Sequence, residues 1–412
     1  MRRLLYIDSS YTLAEIRERA LTHVLNIRHL NGYWDRVISA HPLDMRDASA
    51  SAESRFGRAR VETIDEGHRF VRGRFGRFAA LSRMPFPNAL LAIGDFAFTL
   101  VRLARREKID AVRAGDPLLC GLIGLIVSRL VRVGFVVRIP ANNDLIRAST
   151  GKPTQARFTR SIAVEKWIEK FVISRADAII APSNNYAAFA ISKGAGRENI
   201  HIVRYGGMVD PKHQSPPLER PAIGDAALVG RLGERPWMAH VGRLSAIKHV
   251  EDCFDVLDIL AAQDVDAGLL LIGDGPLRET LEARVTAAGL DDRVIFLGNM
   301  SQDELLALLP HIAVVLSPLT GRALAEAAFA ARPIVAYNLD WQGDLIRTNE
   351  TGILVPARDT AAMASGAKRL LSDPGFAMAM GKAVRERAMD LLSPVVAYAN
   401  ELAAYQSLGR AG

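Results

Sequence analysis

Short apolar runs recur along the whole chain, and a stretch long enough for a helix separates each run from the next. The runs are rich in Val, Ile and Leu and are bounded by Gly, Pro or Asp, which is typical of strands buried on both faces of a sheet. In the first half of the chain, strands are predicted at Leu4–Ile7, Val37–Ala40, Ala111–Arg113, Phe135–Ile139, Ala178–Ala181 and His201–Val203. In the second half, they are predicted at Trp237–Val241, Leu269–Ile272, Val294–Leu297, Val314–Leu316, Ile334–Ala336 and Ile353–Val355. This alternation with helices predicts an α/β fold built on parallel sheets.

The alternation is interrupted at a polar stretch that reads DPKHQSPPLERP and contains four prolines. We interpret residues 213–235 as a linker between one α/β domain at 1–212 and a second at 236–385. Residues 386–412 are predicted to form a helical tail. A length of 412 residues agrees with this division, because so long a chain exceeds one ordinary hydrophobic core.

The composition, 49% hydrophobic and 24% charged, is that of a soluble globular protein. The most apolar stretch, LLCGLIGLIVSRLV from Leu118, is predicted to be a buried helix because Ser128 and Arg129 interrupt it. Two distant cysteines, Cys120 and Cys253, form neither a metal set nor a disulfide framework, so a reducing cytoplasm is expected.

The net charge is +7, and one segment of the chain holds a concentrated share of it. Residues Arg69–Arg83 read RFVRGRFGRFAALSR, with five arginines, no acid and three interleaved phenylalanines. One interpretation is a solvated helical face. The other is a peripheral contact with an anionic membrane at its inner face. Nucleic acid is not expected as a partner, because no zinc spacing or nucleic-acid-binding signature accompanies the arginines.

Residues that follow strands are the first candidates for chemistry, because ligands of open parallel sheets bind beyond the carboxyl ends of the strands. After the strand at Trp237–Val241 come Gly242, Arg243 and Lys248. Two cations close to a helix N-terminus form an anion site, since unpaired N–H groups and the helix dipole both favour negative charge. The alternative interpretation is that both are ordinary surface charges.

The next two candidate loops follow the strands at Leu269–Ile272 and Val314–Leu316. The first contains Gly273-Asp274-Gly275-Pro276, a turn that allows close approach of a ligand but is common in proteins. The second leads through Ser317-Pro318 to Gly321 and a helix that carries Arg322 and Glu326. The spacing of four predicts an ion pair between these two side chains. Alternatively, the Glu326 carboxylate accepts hydrogen bonds from two neighbouring hydroxyls, such as those of a ribose.

Taken together, these segments resemble the retaining glycosyltransferases of family 4. The resemblance covers the second domain in HVGRLSAIKH, LLLIGDGPLRETLE, DDRVIFLGNMSQDEL and GRALAEAAFAARPIVAYNLDWQGDLIRTNETGILVPARD. It is looser in the first domain, in EKFVISRADAIIAPSNN and NIHIVRYGGMVD. The resemblance implies the GT-B fold, in which two doubly wound, Rossmann-like domains face a cleft. It also implies that the C-terminal helix crosses back onto the N-terminal, acceptor-binding domain.

The resemblance further implies a role for each candidate in holding a nucleotide-diphosphate sugar. Arg243 and Lys248 would bind the diphosphate and stabilise the charge that develops on it, and Glu326 would bind the ribose. The remaining donor-binding residues would lie beside the sugar or the phosphates: Gly242, Gly273, Asp274, Gly275, Gly321, Arg322 and Ala323. No cofactor and no metal are expected, since an Asp-x-Asp pair is absent from the expected places.

Two departures from the family pattern bear on the site. The family usually has two glutamates eight residues apart, the first of which contacts the transferred sugar. Glu326 matches the second, and here Pro318 occupies the position of the first. The first domain lacks both the usual glycine-rich loop after its first strand and the usual histidine after Phe135–Ile139. The loop in which the family has that histidine reads PANNDLIRAST here, so Asn142, Asn143 and Asp144 are candidate contacts to acceptor or sugar. Asp116, which follows an earlier strand, is a further candidate. An Asn cap on the next helical turn explains the loop equally well.

The expected function is transfer of a hexosyl or hexosaminyl group from a UDP- or GDP-sugar to a hydroxyl of a glycan or lipid-linked glycan of the cell envelope. Two alternatives stay open: an inactive partner subunit that binds the nucleotide sugar, and a sugar-nucleotide epimerase on the same fold. Glu165 and Glu169, four residues apart beside Lys166 and Lys170, are predicted to lie on a solvated charged face.

Overall fold

The structure, a computed structural model, describes residues 1–18, 23–43, 55–156, 158–204, 209–214 and 222–408. These residues belong to two units. The first contains Met1–Val203 together with the chain from Tyr398 onward, and the second contains Arg204–Ala397. Each unit is built on its own sheet, so the α/β prediction is confirmed for both.

The first unit contains a sheet with eight strands among the described residues. They are β1 (Arg3–Ile7), β2 (Arg36–His41), β3 (Arg60–Thr63), β4 (His68–Arg72), β5 (Ala111–Ala114), β6 (Gly134–Arg138), β7 (Ala178–Ala181) and β8 (Ile200–Ile202). Their order is β3-β4-β2-β1-β5-β6-β7-β8, and all neighbours are parallel except β3 and β4. The six strands predicted for this half are confirmed.

Helices of the first unit connect these strands and cover the sheet. They are α1 (Leu13–Glu18), α2 (His23–Asn26), α3 (Pro85–Glu107), α4 (Leu119–Val131), α5 (Asn143–Thr150), α6 (Ile162–Ile173) and α7 (Asn184–Ser192). The apolar stretch after Leu118 forms α4 and contributes Cys120, Ile123 and Val127 to the core, as predicted.

The strand β4 lies where the sequence suggested a helical face. Phe70 and Val71 of β4 are buried, whereas β3, its antiparallel neighbour at the sheet edge, is largely exposed. The interpretation of Arg69–Arg83 as a solvated helical face is therefore wrong at its N-terminal end. The sequence did not indicate this strand because only two consecutive residues of β4 are strongly apolar and arginines flank them.

The second unit contains a sheet with six parallel strands among the described residues. They are β9 (Trp237–Val241), β10 (Gly268–Ile272), β11 (Val294–Gly298), β12 (Val314–Ser317), β13 (Ile334–Tyr337) and β14 (Ile353–Val355). All six match the predicted strands. Continuous burial along β9, β10, β12 and β13 explains why their sequences are apolar apart from His240 in β9 and Ser317 in β12.

Helices cover both faces of the second sheet. They are α8 (Ala226–Glu234), α9 (Glu251–Ala261), α10 (Arg278–Ala288), α11 (Gln302–Leu308), α12 (Arg322–Phe329), α13 (Gln342–Leu345), α14 (Thr360–Ser372), α15 (Pro374–Leu392) and α16 (Pro394–Ser407), the last of which continues into the first unit. Two clusters of buried side chains, one on each face of the sheet, form the core.

The strand order of the second sheet is β11-β10-β9-β12-β13-β14. The chain therefore reverses its direction of winding between β9 and β12, which are neighbours in the sheet but far apart in sequence. In doubly wound folds a ligand binds beyond the carboxyl ends of the strands at such a switch point. The loops after β9 and β12 carry the predicted donor residues.

The boundaries between the units differ from the predicted linker and tail. The division falls at Val203/Arg204, and Ala226–Glu234 forms a helix whose Leu232 is buried in the second unit. The proline-rich composition concealed this helix, which Asp225 caps by accepting from two backbone N–H groups. At the other end, α15 packs within the second unit, and only the chain from Tyr398 belongs to the first.

The C-terminal part of α16 is anchored in the first unit by polar and apolar contacts. Tyr405 is buried beside Trp34, with ring centroids 5.0 Å apart. The guanidinium of Arg113 donates to the Tyr405 hydroxyl at 2.9 Å and pairs with Glu401. These contacts involve a strand and a helix nearly three hundred residues apart in sequence, so no local pattern shows them.

Candidate functional site

Three loops of the second unit meet at the carboxyl edge of its sheet, after β9, β10 and β12. The amide of Gly242 donates to the Ile272 carbonyl at 2.9 Å, and the amide of Leu244 donates to the Asp274 carbonyl at 3.1 Å. The predicted residues Gly242, Arg243, Gly273, Asp274 and Gly275 thus lie on two loops that are hydrogen-bonded to each other.

The contact between these two loops requires glycine at position 273. A Cβ atom on Gly273 would lie 2.1 Å from the carbonyl oxygen of Gly242, and the φ angle of Gly273 is +131°. Both facts exclude any other residue without movement of the backbone. The turn that appeared common in sequence is therefore a specific packing element of this edge.

The side chain of Lys248 extends from the β9 loop to the loop after β12. Its Nζ atom lies 3.7 Å from the position that a Cβ on Gly321 would occupy. Gly321 has a φ of +66° and directly precedes α12, so the ammonium group lies beside the N-terminus of that helix. Burial lowers the pKa of Lys248, and the nearby carboxylate of Asp340 opposes that shift.

Neither predicted diphosphate cation forms an ion pair with an acid in the part of the chain that the structure describes. Within the described residues, Arg243 and Lys248 form no ion pair within 4.0 Å, and Arg243 is exposed. Two cations at one edge of a sheet repel each other, and a helix N-terminus beside one of them adds positive potential. The arrangement therefore favours binding of a multiply charged anion.

Glu326 lies on the buried side of α12 and is only 4% exposed. The predicted intrahelical ion pair is confirmed, with 3.2 Å between Nε of Arg322 and Oε1 of Glu326. The geometry of this contact is not that of a hydrogen bond, and Oε1 makes none with the residues that the structure describes. Burying a carboxylate oxygen without a hydrogen bond costs free energy. This oxygen is therefore well suited to accept a hydrogen bond from a hydroxyl group of a ligand.

The loop before Gly321 is held in place by Gln342. Its Nε2 donates to the carbonyls of Pro318, at 3.1 Å, and of Tyr337, at 2.9 Å. Its Oε1 accepts from the Ser317 hydroxyl, which also contacts Thr320 at 2.6 Å. The segment Tyr337–Gln342, noted in the sequence as part of the family likeness, thus orders the loop in which Pro318 replaces the usual glutamate.

Sequence reasoning missed His240, which lies on β9 two residues before Gly242. The ring is fully buried, and neither nitrogen makes a well-formed hydrogen bond with a described residue. Burial, followed by the charge of Lys248, lowers the pKa of His240 to about 4. A single polar residue inside an otherwise apolar strand was the signal that could have identified it.

The depressed pKa of His240 predicts acid destabilisation of the second unit. As the pH falls below about 6.5, the unfolded state takes up the proton first, so folding stability decreases between pH 6.5 and pH 4. The full difference corresponds to roughly 3 kcal/mol. Urea unfolding followed by tryptophan fluorescence, at pH 7 and pH 5, should show this loss in the native chain and a smaller loss in the His240→Phe variant. Equal losses in the two proteins would contradict the assignment.

Asp340 is a second residue that the sequence analysis did not select. It lies between β13 and α13 with a φ of +54°, an unusual backbone conformation for a residue other than glycine. Its charge opposes the lowering of the Lys248 pKa that burial causes. The residue thus belongs to the electrostatic environment of the three-loop edge.

The first-unit candidates Asn142, Asn143 and Asp144 do not lie on a common exposed surface. Asn142 caps α5 by accepting from the amides of Asp144 and Leu145, which is the alternative left open by the sequence. The amide of Asn143 donates to Glu169 at 2.6 Å, and Asp144 pairs with Arg147 and Lys193. Their role in contacting acceptor or sugar stays a prediction.

The prediction that Glu165 and Glu169 lie on a solvated face is wrong. Both side chains are fully buried, and the Arg147 guanidinium lies between them at 3.3 and 2.6 Å. Glu165 also accepts from the backbone amides of Thr154 and Gln155. The adjacent lysines point to solvent, but the partner of the two glutamates comes from a separate helix.

Asp116 lies beyond the carboxyl end of β5, at the switch point of the first sheet. Its Oδ1 accepts from the Leu118 amide at 2.8 Å. Burial raises the pKa of Asp116, and the charge of Asp8, beyond neighbouring β1, raises it further. Asp8 is in turn paired with Arg28 at 3.0 Å. Asp116 thus occupies a ligand-competent position, and its role stays a prediction.

The arginines of Arg69–Arg83 are largely neutralised within the first unit. Arg69 pairs with Glu107 at 2.6 Å, Arg72 with Glu62 at 2.9 Å and Arg77 with Asp95 at 3.3 Å. Arg74 is buried. The segment therefore presents much less free positive charge than its sequence suggests.

Comparison with known families agrees with this geometry. The family described as "Glycosyl transferases group 1" matches residues 229–387, and the "Glycosyl transferase 4-like domain" matches residues 36–206. The two matches fall on the second and the first unit respectively. Together the two matches cover most of the chain and support a family 4-like glycosyltransferase, and the two parallel-sheet units have the GT-B fold.

Individual relatives are glycosyltransferases with different substrates. The chain is 28% identical over 284 residues to the alpha-D-kanosaminyltransferase of Streptomyces kanamyceticus, covering 68% of this chain and 70% of that protein. It is 31% identical over 167 residues to a GDP-mannose-dependent alpha-(1-6)-phosphatidylinositol monomannoside mannosyltransferase of Mycobacterium tuberculosis, covering 38% and 43%. Among solved structures, Anabaena HepE in complex with UDP has a TM-score of 0.72 at 17% identity, with 99% and 100% of the chains covered.

Proposed function

We propose that the protein is a retaining glycosyltransferase that moves a hexosyl or hexosaminyl group from a UDP- or GDP-sugar to a hydroxyl acceptor. The observation that carries this proposal is the position of Lys248. Its ammonium lies beside Gly321 at the N-terminus of α12, has no ion pair within the described residues, and shares a loop with Arg243. This is the charge arrangement that a leaving diphosphate requires.

Each donor group has a counterpart in the second unit. The diphosphate is held by Arg243, Lys248 and the backbone amides that follow Gly321, with Gly242 and Gly273 allowing close approach. The ribose hydroxyls donate to Glu326, whose Oε1 makes no hydrogen bond with a described residue. Asp274, Gly275, Arg322 and Ala323 complete the donor site.

The chemistry follows from this placement of charge. The bond between the anomeric carbon and the phosphate oxygen breaks, and the electron pair leaves with the diphosphate. The acceptor oxygen then bonds to the anomeric carbon from the same face, and its proton passes to the departing phosphate oxygen. Arg243 and Lys248 bind the diphosphate more strongly as its charge grows, which lowers the barrier without a metal ion.

For the acceptor, we propose a glycan or lipid-linked glycan of the cell envelope, used at the cytoplasmic side of the membrane. The mycobacterial relative, a phosphatidylinositol monomannoside mannosyltransferase, is named for a lipid acceptor, which supports this choice. The first unit supplies the acceptor contacts, for which Asp116 at its switch point is the best-placed carboxyl group.

One observation favours a second function, that of an inactive partner subunit which binds the nucleotide sugar. Pro318 occupies the position of the family's first glutamate, and Gln342 and Ser317 fix its loop. A proline cannot hydrogen-bond the transferred sugar through its side chain. The protein would still recognise the donor through its diphosphate and ribose after this change, whereas turnover would be lost.

A donor-cleavage assay separates the two functions. The protein is incubated with UDP- and GDP-sugars, with and without a membrane lipid extract as acceptor, in the presence of EDTA. We expect acceptor-dependent release of nucleoside diphosphate and a product that keeps the anomeric configuration of the donor, as read by NMR. Tight nucleotide binding without release from any donor would favour the inactive subunit, and absence of binding would contradict both.

A nucleotide-binding measurement tests whether Glu326 binds the ribose. The native protein should bind UDP or GDP, whichever it prefers, more tightly than the 2′-deoxy form of that nucleotide. The Glu326→Ala variant should bind both forms equally, because the lost hydroxyl and the lost carboxylate belong to one interaction. Undiminished discrimination in the variant would place the ribose elsewhere.

A further inference from the structure

The helix α3 of the first unit has an exposed face that is apolar between Phe86 and Phe98. Phe86, Leu90, Leu91 and Phe98 are 68%, 52%, 48% and 67% exposed. At the helical spacing of 100° per residue they fall within an arc of roughly 140°. The opposite side carries Ala92, Phe96 and Leu100, which are buried in the core of the first unit.

Two further apolar side chains are exposed close to the start of the helix. Met84, immediately before α3, is 56% exposed, and Phe78 is 47% exposed. Monomeric proteins rarely expose so many large apolar side chains in one region, so the surface is expected to have a partner. By length and composition, α3 is the one helix of the described residues that could also cross a membrane. Its buried core side shows that it acts here as a surface helix.

The charges on the exposed side of α3 are positive. Arg102, Arg105 and Arg106 are exposed in its second half, and Arg83 is exposed just before it. The helix has two acids, Asp95 and Glu107, and both are engaged inside the unit by Arg77 and Arg69. Exposed apolar side chains thus precede exposed arginines along α3, and both acids of the helix are paired.

We propose that this side of α3, with Met84, is the surface by which the protein binds an anionic lipid bilayer. Phenylalanine and leucine insert at the boundary between headgroups and acyl chains, while arginines bind anionic headgroups. Charge complementarity selects this occupant, since a surface bearing four exposed arginines suits anionic lipid. The surface shares only Arg83 with the segment Arg69–Arg83, in which Arg69, Arg72 and Arg77 are paired. This inference goes beyond the proposed lipid-linked acceptor, and it is argued only from the exposed side chains and the charges of α3.

Vesicle sedimentation of the full chain tests the proposal without any need for activity. We expect binding to vesicles of equal parts phosphatidylcholine and phosphatidylglycerol, little binding to phosphatidylcholine alone, and weaker binding at high salt. The Phe86→Ser/Leu90→Ser/Phe98→Ser variant should lose at least about tenfold in affinity, because three inserted side chains are removed. An Arg102→Ser/Arg106→Ser variant should lose several-fold, and only for the anionic vesicles.

Matched controls separate this surface from exposed apolar residues in general. Trp167→Ser and Met378→Ser replace side chains that are 63% and 73% exposed elsewhere on the chain, and both should bind like the native protein. Native-like vesicle binding by both the apolar and the arginine variants would overturn the proposal. So would a native chain that ignores anionic vesicles but forms a dimer that the apolar variant cannot form, which would assign the face to a second copy.

Discussion

Replacing Lys248 by alanine should lower kcat/KM for donor cleavage by about 10² to 10³-fold, the loss typical for one group that stabilises developing negative charge. The ammonium is partly buried, lies beside Gly321 at the start of α12, and has no ion pair within the described residues. Water cannot fully replace a charge held in such an environment, because the electrostatic effect is stronger there than in bulk solvent.

The same substitution should not lower the stability of the protein. Burial lowers the pKa of Lys248, which means that the folded protein pays to keep the ammonium charged. The free energy of unfolding of the Lys248→Ala variant should therefore be unchanged or slightly higher. Loss of activity together with retained stability would show that the lysine serves the reaction and not the fold.

The control for this experiment is Lys382→Ala in the same unit. The Lys382 side chain is 81% exposed and forms only a loose contact with Glu386, at 3.9 Å. It should leave both kcat/KM and stability unchanged. If Lys248→Ala cleaves the donor as fast as the control does, the assignment of the diphosphate site to this edge is wrong.

Replacing Arg147 by alanine should destabilise the first unit by about 3–5 kcal/mol, the usual cost of removing one partner from a buried ion pair. Its guanidinium lies between Glu165 and Glu169, whose side chains are both 0% exposed. Without it, two carboxylates stay buried with too few donors. Hydrogen exchange of amides in β6 and β7 measures the loss, because these strands lie in the core of the unit.

Two further variants make the Arg147 result specific. Arg129→Ala breaks an exposed pair with Asp177 in the same unit and should cost less than about 1 kcal/mol. The double variant Arg147→Met/Glu169→Gln removes a buried charge together with its partner and should recover much of the loss. A similar cost for Arg147→Ala and Arg129→Ala would show that the buried cluster contributes no more than a surface pair.

The sequence predicted the strands well because their physics is local. A strand buried on both faces needs apolar residues throughout, so runs such as Trp237–Val241 and Ala178–Ala181 are visible in any short window. The strand β4 was missed because it lies near the edge of its sheet, where arginines are tolerated beside Phe70 and Val71. Local pattern was therefore informative in proportion to burial.

The candidate donor site was only partly visible in sequence. Arg243, Lys248 and Glu326 were selected because they follow strands and because of the family likeness. His240 was missed, since a lone histidine inside a strand has no pattern to distinguish it. Its neutral state depends on burial and on the charge of Lys248, and both arise only in the folded unit.

By itself, then, the sequence determined the α/β class, nearly all the strands and the loops on which donor chemistry can occur, because each depends on residues adjacent in the chain. Tertiary structure alone decided which charges are free and which are paired. Glu165 and Glu169 look solvated but are buried by Arg147, and the arginines of Arg69–Arg83 look free but are mostly neutralised. The physical reason is that an ion pair depends on distance in space, and its two members come from different elements of the fold.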